Sequence, residues 1–488
     1  MSRLPISPIA DELSLPPLYV DLDGSLIKVD LLHEAMARLG LRSPLLLMRI
    51  SLKHRESLAA FKTEIAKEVS VDPATLPYET AVISRLREEA ALGRRLILAT
   101  ASPLAWAEPI AAYLGFFSNI VATNANNNLK SGAKLSAIQD LMGTSPFAYL
   151  GNSSDDIPLF EASSGGRMLV GSSSKPLSYL RKADMEFEHI APSNALSQIW
   201  NAILACRPVH WIKNSLIFVP AVTGWGMYDP IRLIPATFAF IAFSLVASAV
   251  YLINDLADLA PDRGHPDKRH RPLAAGKLSV TRGAALAALL AVSGLGIAIA
   301  AGPIVITVLM VYVALNAAYT ARLKEMPLTD IALLCAFYLI RVILGLAILG
   351  LPQSIWFIAF LGCLFAELAL WKRYVEVISA PATSSKRRSY AATDANVLLA
   401  FGVGFSFSAA IVLTLYLQSP EVSPIYQAPR LLALLAPILL LHNLGMWLEA
   451  SRGEGASDPI TYILKSRKFW FMAVVAMAVL LAARFLPT

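Results

Sequence analysis

The segment NDLADLAPDRGHPDKRHRPLAAG, residues 254–276, follows a long apolar run and decides how the second half of the chain is interpreted. Asp255, Asp258 and Asp262 are spaced three and four residues apart, which on a helix gathers three carboxylates on one face. Mg²⁺ ions that bridge these carboxylates to a diphosphate would remove their mutual repulsion, because hard cations bind both kinds of oxygen. Lys268 and Arg271 follow and are suited to binding phosphate oxygens directly. The segment predicts a magnesium and diphosphate site at the end of a membrane helix, which a merely solvated charged loop would not explain.

Composition divides the 488 residues into two regions, one suited to water and one suited to the lipid bilayer. The chain is 56% hydrophobic and only 16% charged, whereas soluble domains carry about 25% charged residues, so a wholly soluble enzyme is excluded. The same apolar content excludes a disordered chain. Residues 1–200 carry a net charge of −2, and residues 201–488 carry a net charge of +9. The three cysteines lie far apart, which indicates neither a disulfide framework nor a zinc cluster.

The second region, residues 201–488, contains apolar runs long enough to cross a bilayer, which takes about 20 residues. We predict nine spans, at 214–229, 232–253, 283–301, 303–321, 329–350, 354–371, 395–418, 430–450 and 469–486. Lys and Arg concentrate in the loops 254–282, 322–328, 372–394 and 451–468. By the positive-inside rule, these loops and the N-terminal region lie on the cytoplasmic side. The pattern predicts an all-α, multi-pass protein of the inner (cytoplasmic) membrane.

The first region, residues 1–195, alternates short apolar runs with helical patterns. The predicted strands are Leu18–Asp23, Leu96–Ser102, Ile120–Ala125, Phe147–Gly151 and Met168–Gly171. Strands separated by helices are typical of a doubly wound α/β domain with a parallel sheet. Residues 30–95 have an amphipathic helical pattern and are long enough to form a helical cap over that sheet.

Polar side chains follow the predicted strands, and open parallel sheets bind ligands at the carboxyl ends of their strands. Asp21 and Asp23 follow the first strand, and Gly24 permits a sharp turn after them. The later polar residues are Thr100, Lys134, Asn152, Asp155 and Asp156. A nucleophilic carboxylate, a hydroxyl, an ammonium and a late acidic pair together predict a magnesium-assisted phosphate site.

Four groups of residues occur in this order along the chain: Asp21 with Asp23, then Thr100, then Lys134, then Asn152 with Asp155 and Asp156. Together they resemble the haloacid dehalogenase (HAD) phosphatase superfamily across residues 15–190. The resemblance implies that Asp21 is the nucleophile that forms an aspartyl-phosphate and that Asp23 is the general acid/base. It implies that Thr100 and Lys134 hold the phosphoryl group. The implied Mg²⁺ ligands are Asp21, Asp23, Asn152 and Asp156. Because the last motif of the family usually begins Gly-Asp and this chain has Gly151-Asn152, a catalytically silent domain stays an alternative.

The pattern Asn-Asp-x-x-Asp-x-x-x-Asp with the downstream Arg-Pro-Leu-Ala-Ala-Gly resembles the ubiquinone-biosynthesis (UbiA) prenyltransferase superfamily. The resemblance covers nearly all of residues 201–488, and nine spans fit the fold of the family. It implies that Asp255, Asp258 and Asp262 are catalytic and bind Mg²⁺. It also implies substrate-binding roles for Asn254, Lys268 and Arg271.

A polar set near the fourth and fifth spans consists of Tyr319, Arg322, Lys324, Asp330 and Arg341. Arg341 lies 11 residues beyond Asp330, or about 16 Å along a helix, which places it well inside the membrane. A charge at that depth is costly unless it is paired or lines a polar cavity, so we interpret Arg341 as an anion-binding residue. Glu367 is predicted to be its intramembrane partner or to orient a ligand, and a purely structural charge pair is the alternative.

This set, with the segments RPVHWIKN (207–214) and KRYVE (372–376), resembles the decaprenyl-phosphate phosphoribosyltransferase branch of the family. The branch transfers 5-phosphoribose from phosphoribosyl diphosphate (PRPP) to a polyprenyl phosphate and releases diphosphate. The resemblance therefore implies Mg²⁺ as cofactor, PRPP and a membrane lipid as partners, and no nucleic acid. The substrate-binding residues that it implies outside the 254–276 segment are Tyr319, Arg322, Lys324, Asp330, Arg341, Lys372 and Arg373.

Three functions stay open. The first is a bifunctional enzyme, in which the HAD domain removes the 5-phosphate from the lipid-linked product. The second is an aromatic polyprenyltransferase of quinone or haem biosynthesis with an independent HAD domain. The third is a transporter or lipid-binding protein, which we disfavour because the polar motifs lie in loops and not in helices broken at mid-membrane.

Overall fold

The computed structural model describes residues 15–191, 194–223, 230–351, 354–379, 390–420, 422, 426–455 and 459–486. The chain forms two compact units. The first comprises Met1–Arg207 and Tyr251–Leu289, and the second comprises Pro208–Val250 and Leu290–Thr488. The segment that carries the aspartate motif therefore groups with the N-terminal region, and the domain boundary expected between residues 195 and 201 stays a prediction.

A six-stranded parallel sheet organises the first unit, as the alternation of strands and helices predicted. Its strands are β1 (Leu18–Val20), β2 (Leu96–Pro103), β3 (Asn119–Thr123), β4 (Ala148–Gly151), β5 (Arg167–Val170) and β6 (Glu188–Ile190). The sequence analysis did not predict the edge strand β6. The strand order is β3-β2-β1-β4-β5-β6, so the order reverses at β1 and β4. Ligands of doubly wound sheets bind at that switch point, outside the carboxyl ends of the strands.

The sheet is buried on both faces because successive side chains of a strand point to opposite sides. Leu18 and Val20 of β1 contribute to one core, together with Trp106. Tyr19 contributes to the other core, together with Tyr149 of β4. Near-continuous apolar strands with this alternation fix the register of β1 against its neighbours and so determine where Asp21 emerges.

Helices cover the sheet and form the cap. The cap insertion contains α1 (Leu31–Arg42), α2 (Pro44–Lys53), α3 (Leu58–Glu68) and α4 (Thr80–Ala91), within the predicted range 30–95. The remaining helices up to the end of this region are α5 (Leu104–Leu114), α6 (Gly132–Met142), α7 (Ile157–Ala162), α8 (Ser174–Lys182) and α9 (Ala195–Ala205). The side chains of Asp30 and Ser57 accept backbone N–H bonds at the starts of α1 and α3, which fixes where these helices begin.

Among the residues that the structure describes after α9, the regular elements are all helices. The α-helices are α10 (Val219–Thr223), α11 (Pro230–Ala257), α12 (Leu259–Arg263), α13 (Val280–Ala301), α14 (Pro303–Ala321), α15 (Thr329–Leu349), α16 (Ile355–Ile378), α17 (Ala395–Leu417), α18 (Leu435–Ser451), α19 (Pro459–Lys465) and α20 (Arg467–Phe485). In the described part of the chain, eight helical stretches are long and apolar enough to cross a membrane. They correspond to the predicted spans from 232–253 to 469–486.

The first predicted span, 214–229, differs from the expectation. Pro208–Phe218 forms 3₁₀ turns, and the short α10 follows it. Residues 224–229 lie outside the described part of the chain. The described portion, 208–223, contains no α-helix of membrane length.

Candidate functional site

The carboxyl ends of β1, β2 and β4 bring the predicted phosphate-site residues to one edge of the sheet. Asp21 follows β1 directly, and its backbone N–H donates to Leu150 of β4 at 2.9 Å. Gly24 has a φ of +76°, and a Cβ there would lie 2.1 Å from Nδ2 of Asn152. Only glycine fits this turn, so the Asn152 amide packs directly on the loop that carries both aspartates.

Asp21 is 7% exposed and paired with Lys134. Its Oδ1 accepts from Nζ of Lys134 at 2.7 Å, and its Oδ2 accepts from Oγ of Ser25 at 3.1 Å. Burial raises the pKa of Asp21, and Lys134 opposes that rise. Burial alone would lower the pKa of Lys134, but Asp21 and Asp156 raise it above its usual value. The pair therefore sets a charged ammonium beside the carboxylate predicted to be the nucleophile.

Asp23 is held by the cap and by β2. Its Oδ1 accepts from the backbone N–H of Leu31 at 2.9 Å, and its Oδ2 accepts from Oγ of Ser102 at 2.6 Å. Burial, followed by the nearby charge of Asp30, raises the pKa of Asp23 to about 7. A carboxyl group that gains and loses its proton near neutral pH is suited to general acid/base work.

Asp156 has its oxygens occupied by protein donors. The Tyr149 hydroxyl donates to Oδ1 at 2.6 Å, and the backbone N–H groups of Asn152 and Ser153 donate to Oδ2 at 3.1 and 2.9 Å. Asp156 therefore shapes the Asn152 turn and stands 3.7 Å from Lys134, and Asn152 is the residue of this loop that packs on Gly24. Sequence reasoning missed Tyr149, although a hydroxyl inside an apolar strand is a signal for it.

Ser102 occupies the place at the cavity that the resemblance implied for Thr100. Thr100 is fully buried, and its Oγ1 accepts from the backbone N–H of Ser102 at 2.9 Å. Ser102, and not Thr100, lines the cavity above Asp21. Thr100 thus supports the loop that presents the Ser102 hydroxyl.

Lys62 of the cap is a site residue that the sequence analysis missed. Its Nζ donates to the Ala101 carbonyl at 2.7 Å and to Oδ1 of Asn128 at 2.9 Å. Burial lowers its pKa. The signal was present, because Lys62 lies three residues from both Ala59 and Ile65 on the buried face of α3.

These residues surround a cavity of about 580 Å³. Its lining includes Asp21, Asp23, Lys62, Ser102, Lys134 and Asn152. The volume falls within the range of roughly 300–1,000 Å³ that is typical of small-molecule sites.

The aspartate segment forms a second polar cluster in the same unit. Asp255 and Asp262 are buried and converge on Nη1 of Arg271, at 3.1 and 2.6 Å. Arg207 also binds Asp255, and Nζ of Lys268 lies 3.8 Å from Oδ1 of Asp262. Two carboxylates and three cations therefore meet at one place, as the motif predicted in part.

Asp258 departs from the expected shared face, because it is exposed. The segment is not one continuous helix: α11 ends at Ala257, and α12 begins at Leu259. Pro261 lies within α12 and has no backbone N–H to donate to Ala257, which explains the break. The structure brings Asp255 and Asp262 together and leaves the Asp258 side chain exposed.

Mg²⁺ fits the donors present at both places. Among the described residues, no three His, Cys, Asp or Glu side chains form a group that would hold a metal ion by themselves. Each place nevertheless offers two carboxylates, Asp21 with Asp23 and Asp255 with Asp262. Mg²⁺ commonly binds one or two carboxylates and completes its shell with water and substrate phosphate oxygens.

Arg373 in the second unit belongs to a satisfied network. It is 1% exposed, and its guanidinium donates to Asp330 at 2.5 Å, Glu376 at 2.5 Å and the Tyr319 hydroxyl at 2.9 Å. Tyr390, which the sequence analysis missed, donates to Asp330 at 2.7 Å. The network joins α14, α15 and α16, so these predicted substrate ligands are engaged with one another.

Arg341 is buried and bonded within the second unit. Its Nε donates to Oδ1 of Asn214 at 2.7 Å, and its guanidinium carbon lies 4.9 Å from the ring centre of Tyr312. Glu367 does not pair with it. The Glu367 carboxylate accepts from Ser406, Asn443 and Trp447, which ties α16 to α17 and α18.

The other predicted ligands are half-buried or exposed. Asn254 and Lys372 are half-buried within α11 and α16. Arg322 is exposed just after α14, and Lys324 is half-buried in the 3₁₀ turn Leu323–Glu325.

Comparison with known proteins identifies both regions. Residues 19–161 match the haloacid dehalogenase-like hydrolase family, and residues 216–452 match the UbiA prenyltransferase family. An uncharacterized protein of Sinorhizobium fredii, y4nM, is 34% identical over 96% of this chain and 91% of its own length. A decaprenyl-phosphate phosphoribosyltransferase of Mycobacterium tuberculosis is 34% identical over 45% of this chain and 74% of its own length.

Among solved structures, a UbiA homolog from Archaeoglobus fulgidus bound to GPP and Mg²⁺ aligns with a TM-score of 0.44 and 18% identity. The alignment covers 58% of this chain and 99% of that protein. The sequence matches and the membrane-length helices together show that this chain is a multi-pass membrane protein of the UbiA prenyltransferase family with an N-terminal haloacid dehalogenase-like domain.

Proposed function

We propose that the chain transfers 5-phosphoribose from PRPP to a polyprenyl phosphate and releases diphosphate. The observation that carries the proposal is the cluster in which Asp255 and Asp262 share Arg271, with Arg207 and Lys268 beside them. Carboxylates for a metal and cations for phosphates are the groups that a diphosphate leaving group requires. The similarity to proteins named as decaprenyl-phosphate phosphoribosyltransferases supports PRPP as the donor.

The transfer exchanges one bond at the anomeric carbon of PRPP. An oxygen of the lipid phosphate attacks C1 of the ribose, and the bond from C1 to the diphosphate oxygen breaks. Arg271 and Arg207 offer guanidinium groups that would stabilise the negative charge growing on the departing diphosphate. Mg²⁺ held by Asp255 and Asp262 would supply further neutralisation of the diphosphate.

The HAD domain, in this proposal, removes the 5-phosphate from the lipid-linked product. Asp21 attacks the phosphorus, Lys134 balances the phosphoryl charge, and Asp23 protonates the leaving ribose oxygen. Asp23 then accepts a proton from water, which attacks the aspartyl-phosphate and releases inorganic phosphate. Asp21 and the Asn152 side-chain carbonyl would hold Mg²⁺, and Asp156 would position Asn152.

We further propose that the protein lies in the inner membrane with both sites on the cytoplasmic side. The loops 254–282 and 372–394 are rich in Lys and Arg, and such loops stay in the cytoplasm. PRPP would then reach the transferase from the cytoplasm, and the product would not need to cross the bilayer to meet Asp21.

The test is a product assay on the purified full-length protein in lipid nanodiscs with Mg²⁺. Labelled PRPP and a polyprenyl phosphate should yield a lipid whose mass corresponds to added ribose. Asp255→Asn should lower this transfer by about a hundredfold or more, because it removes one of the two buried carboxylates. Asp267→Asn, an exposed aspartate of the same segment, is the matched control. Transfer of a prenyl group to an aromatic acid, with no label from PRPP in the lipid, would contradict the proposal.

A further inference from the structure

The wall of the phosphatase cavity includes residues from far along the chain. Ser279, Val280 and Thr281 line the same cavity as Asp21 and Lys134. Val280 is also the first residue of α13, one of the helices long and apolar enough to span a membrane. The HAD fold alone therefore does not complete its own site, because one wall is the beginning of a membrane helix.

A buried ion pair attaches the segment that precedes this wall to the cap. Arg263 binds both carboxylate oxygens of Glu34 on α1, and Nε of Arg263 donates to the Ala274 carbonyl at 3.0 Å. The Glu34 and Arg263 side chains are only 11% and 7% exposed. A bidentate pair with little solvent around it defines one orientation of the segment against the cap.

Close backbone packing provides a second attachment, three residues before the wall. Gly276 has a φ of +68°, and a Cβ there would lie 2.7 Å from Cβ of Lys28 and 3.1 Å from Cγ1 of Val29. A side chain at this position would push the segment away from the loop that follows Asp23. Beyond the wall, Nη1 of Arg282 donates to Oε1 of Gln198 at 2.6 Å. Contacts on both sides thus hold Ser279 and Thr281 in place.

We propose that Ser279 and Thr281 are specificity-determining residues of the phosphatase site, and that this site takes a phosphomonoester of a membrane-anchored sugar phosphate. The inference rests on the proposed function of the HAD domain and adds the residues that select its substrate. The two hydroxyl groups are hydrogen-bonded to each other at 3.3 Å, and Oγ of Ser279 also accepts from the backbone N–H of Arg282 at 3.4 Å. The hydroxyl proton and lone pairs that these bonds leave unused are available to a sugar or to the phosphate that links it to the lipid.

In this proposal, different residues of the cavity bind the phosphoryl group and the remainder of the substrate. Asp21 and Lys134 at the sheet edge bind the phosphoryl group, which every substrate shares. Ser279 and Thr281 come from a separate segment of the chain, so in this proposal they contact the rest of the substrate. Because this wall continues into α13, one of the helices long and apolar enough to span a membrane, we expect the site to take a substrate that carries a lipid anchor.

The experiment compares two substrates on the full-length protein in nanodiscs. One is synthetic polyprenyl-phosphoryl-5-phosphoribose, and the other is p-nitrophenyl phosphate, which has no sugar or lipid. The double variant Ser279→Ala/Thr281→Val should lower kcat/KM for the lipid by about tenfold, mainly through KM, since it removes two hydrogen-bonding groups. Its kcat/KM for p-nitrophenyl phosphate should stay within twofold of the parent.

Two control variants accompany the measurement. Thr281→Ser keeps a hydroxyl and should retain activity on the lipid, whereas Ser136→Ala changes an exposed hydroxyl on α6 that does not line the cavity. Equal losses on both substrates, or no loss on the lipid, would overturn the assignment of these residues alone. A parent protein that leaves the lipid phosphate intact would overturn both this inference and the proposed role of the HAD domain.

Discussion

Glu34 and Arg263 are 229 positions apart in the chain and form a buried, bidentate ion pair. Glu34 belongs to the cap of the HAD domain, and Arg263 directly follows Asp262 of the transferase motif. Because Asp262 binds Arg271, the pair links the cap of the HAD domain to the residues proposed to hold the diphosphate. One segment, residues 259–281, thus takes part in both candidate sites.

We predict that Glu34→Gln impairs phosphoribosyl transfer although Glu34 lies in the other domain. The variant leaves Arg263 without its counter-charge, and breaking a buried pair in this way typically costs about 3 kcal/mol or more. The displaced segment should raise the KM for PRPP. Steady-state kinetics of transfer, with Glu56→Gln as the exposed control, measure the effect. Partial recovery in the charge-swapped Glu34→Arg/Arg263→Glu protein would identify the pair as the cause, whereas an unchanged KM in Glu34→Gln would refute the link.

Asp258 provides a test of the third carboxylate. It is exposed at the break between α11 and α12, so Asp258→Asn should leave the fold intact. The variant should lower transfer by orders of magnitude and require more Mg²⁺ for half-maximal rate, because it removes one of the three carboxylates of the motif. A magnesium titration of the transfer rate measures both. Parent-like turnover would restrict the metal site to Asp255 and Asp262.

Asp21→Asn should separate the two reactions. The variant removes the nucleophile of the phosphatase without touching the Asp255 cluster, so PRPP consumption should continue while the 5-phosphorylated lipid accumulates. Mass analysis of the extracted lipids gives the ratio of phosphorylated to dephosphorylated product. The same ratio in variant and parent would mean that the HAD domain does not act on this lipid.

Arg341→Lys should lower thermal stability. Lysine keeps the charge but loses the planar group that contacts Asn214 and lies against Tyr312. We expect a loss of about 1–2 kcal/mol, visible as a lower Tm, with a near-normal KM for PRPP in the folded fraction. An unchanged Tm with a raised KM would instead support the anion-binding role that the sequence suggested.

Local patterns in the sequence identified both domains before any contact was known. The strands β1, β2 and β4, which lead to Asp21, Ser102 and Asn152, follow from apolar runs between turns. The eight membrane-length helices of the described residues follow from length and hydropathy alone. The residue types of the two sites were also recognisable, because a phosphate or a metal restricts which side chains can bind it. These features depend on neighbours in the chain, which is why a sequence contains them.

The tertiary structure decided which of those residues meet. Thr100 and Ser102 are equivalent as hydroxyls in the sequence, but the Thr100 hydroxyl accepts from the Ser102 backbone N–H, and only Ser102 of the two lines the cavity. Arg341 and Glu367 looked like a pair, but each is satisfied by neutral donors or acceptors from other helices. The sequence by itself determined the two folds and the chemistry of their residues. Packing between distant segments decided that the start of an apolar, membrane-length helix lines the cavity of the haloacid dehalogenase-like domain, because contacts such as Glu34 with Arg263 exist only once the chain has folded back on itself.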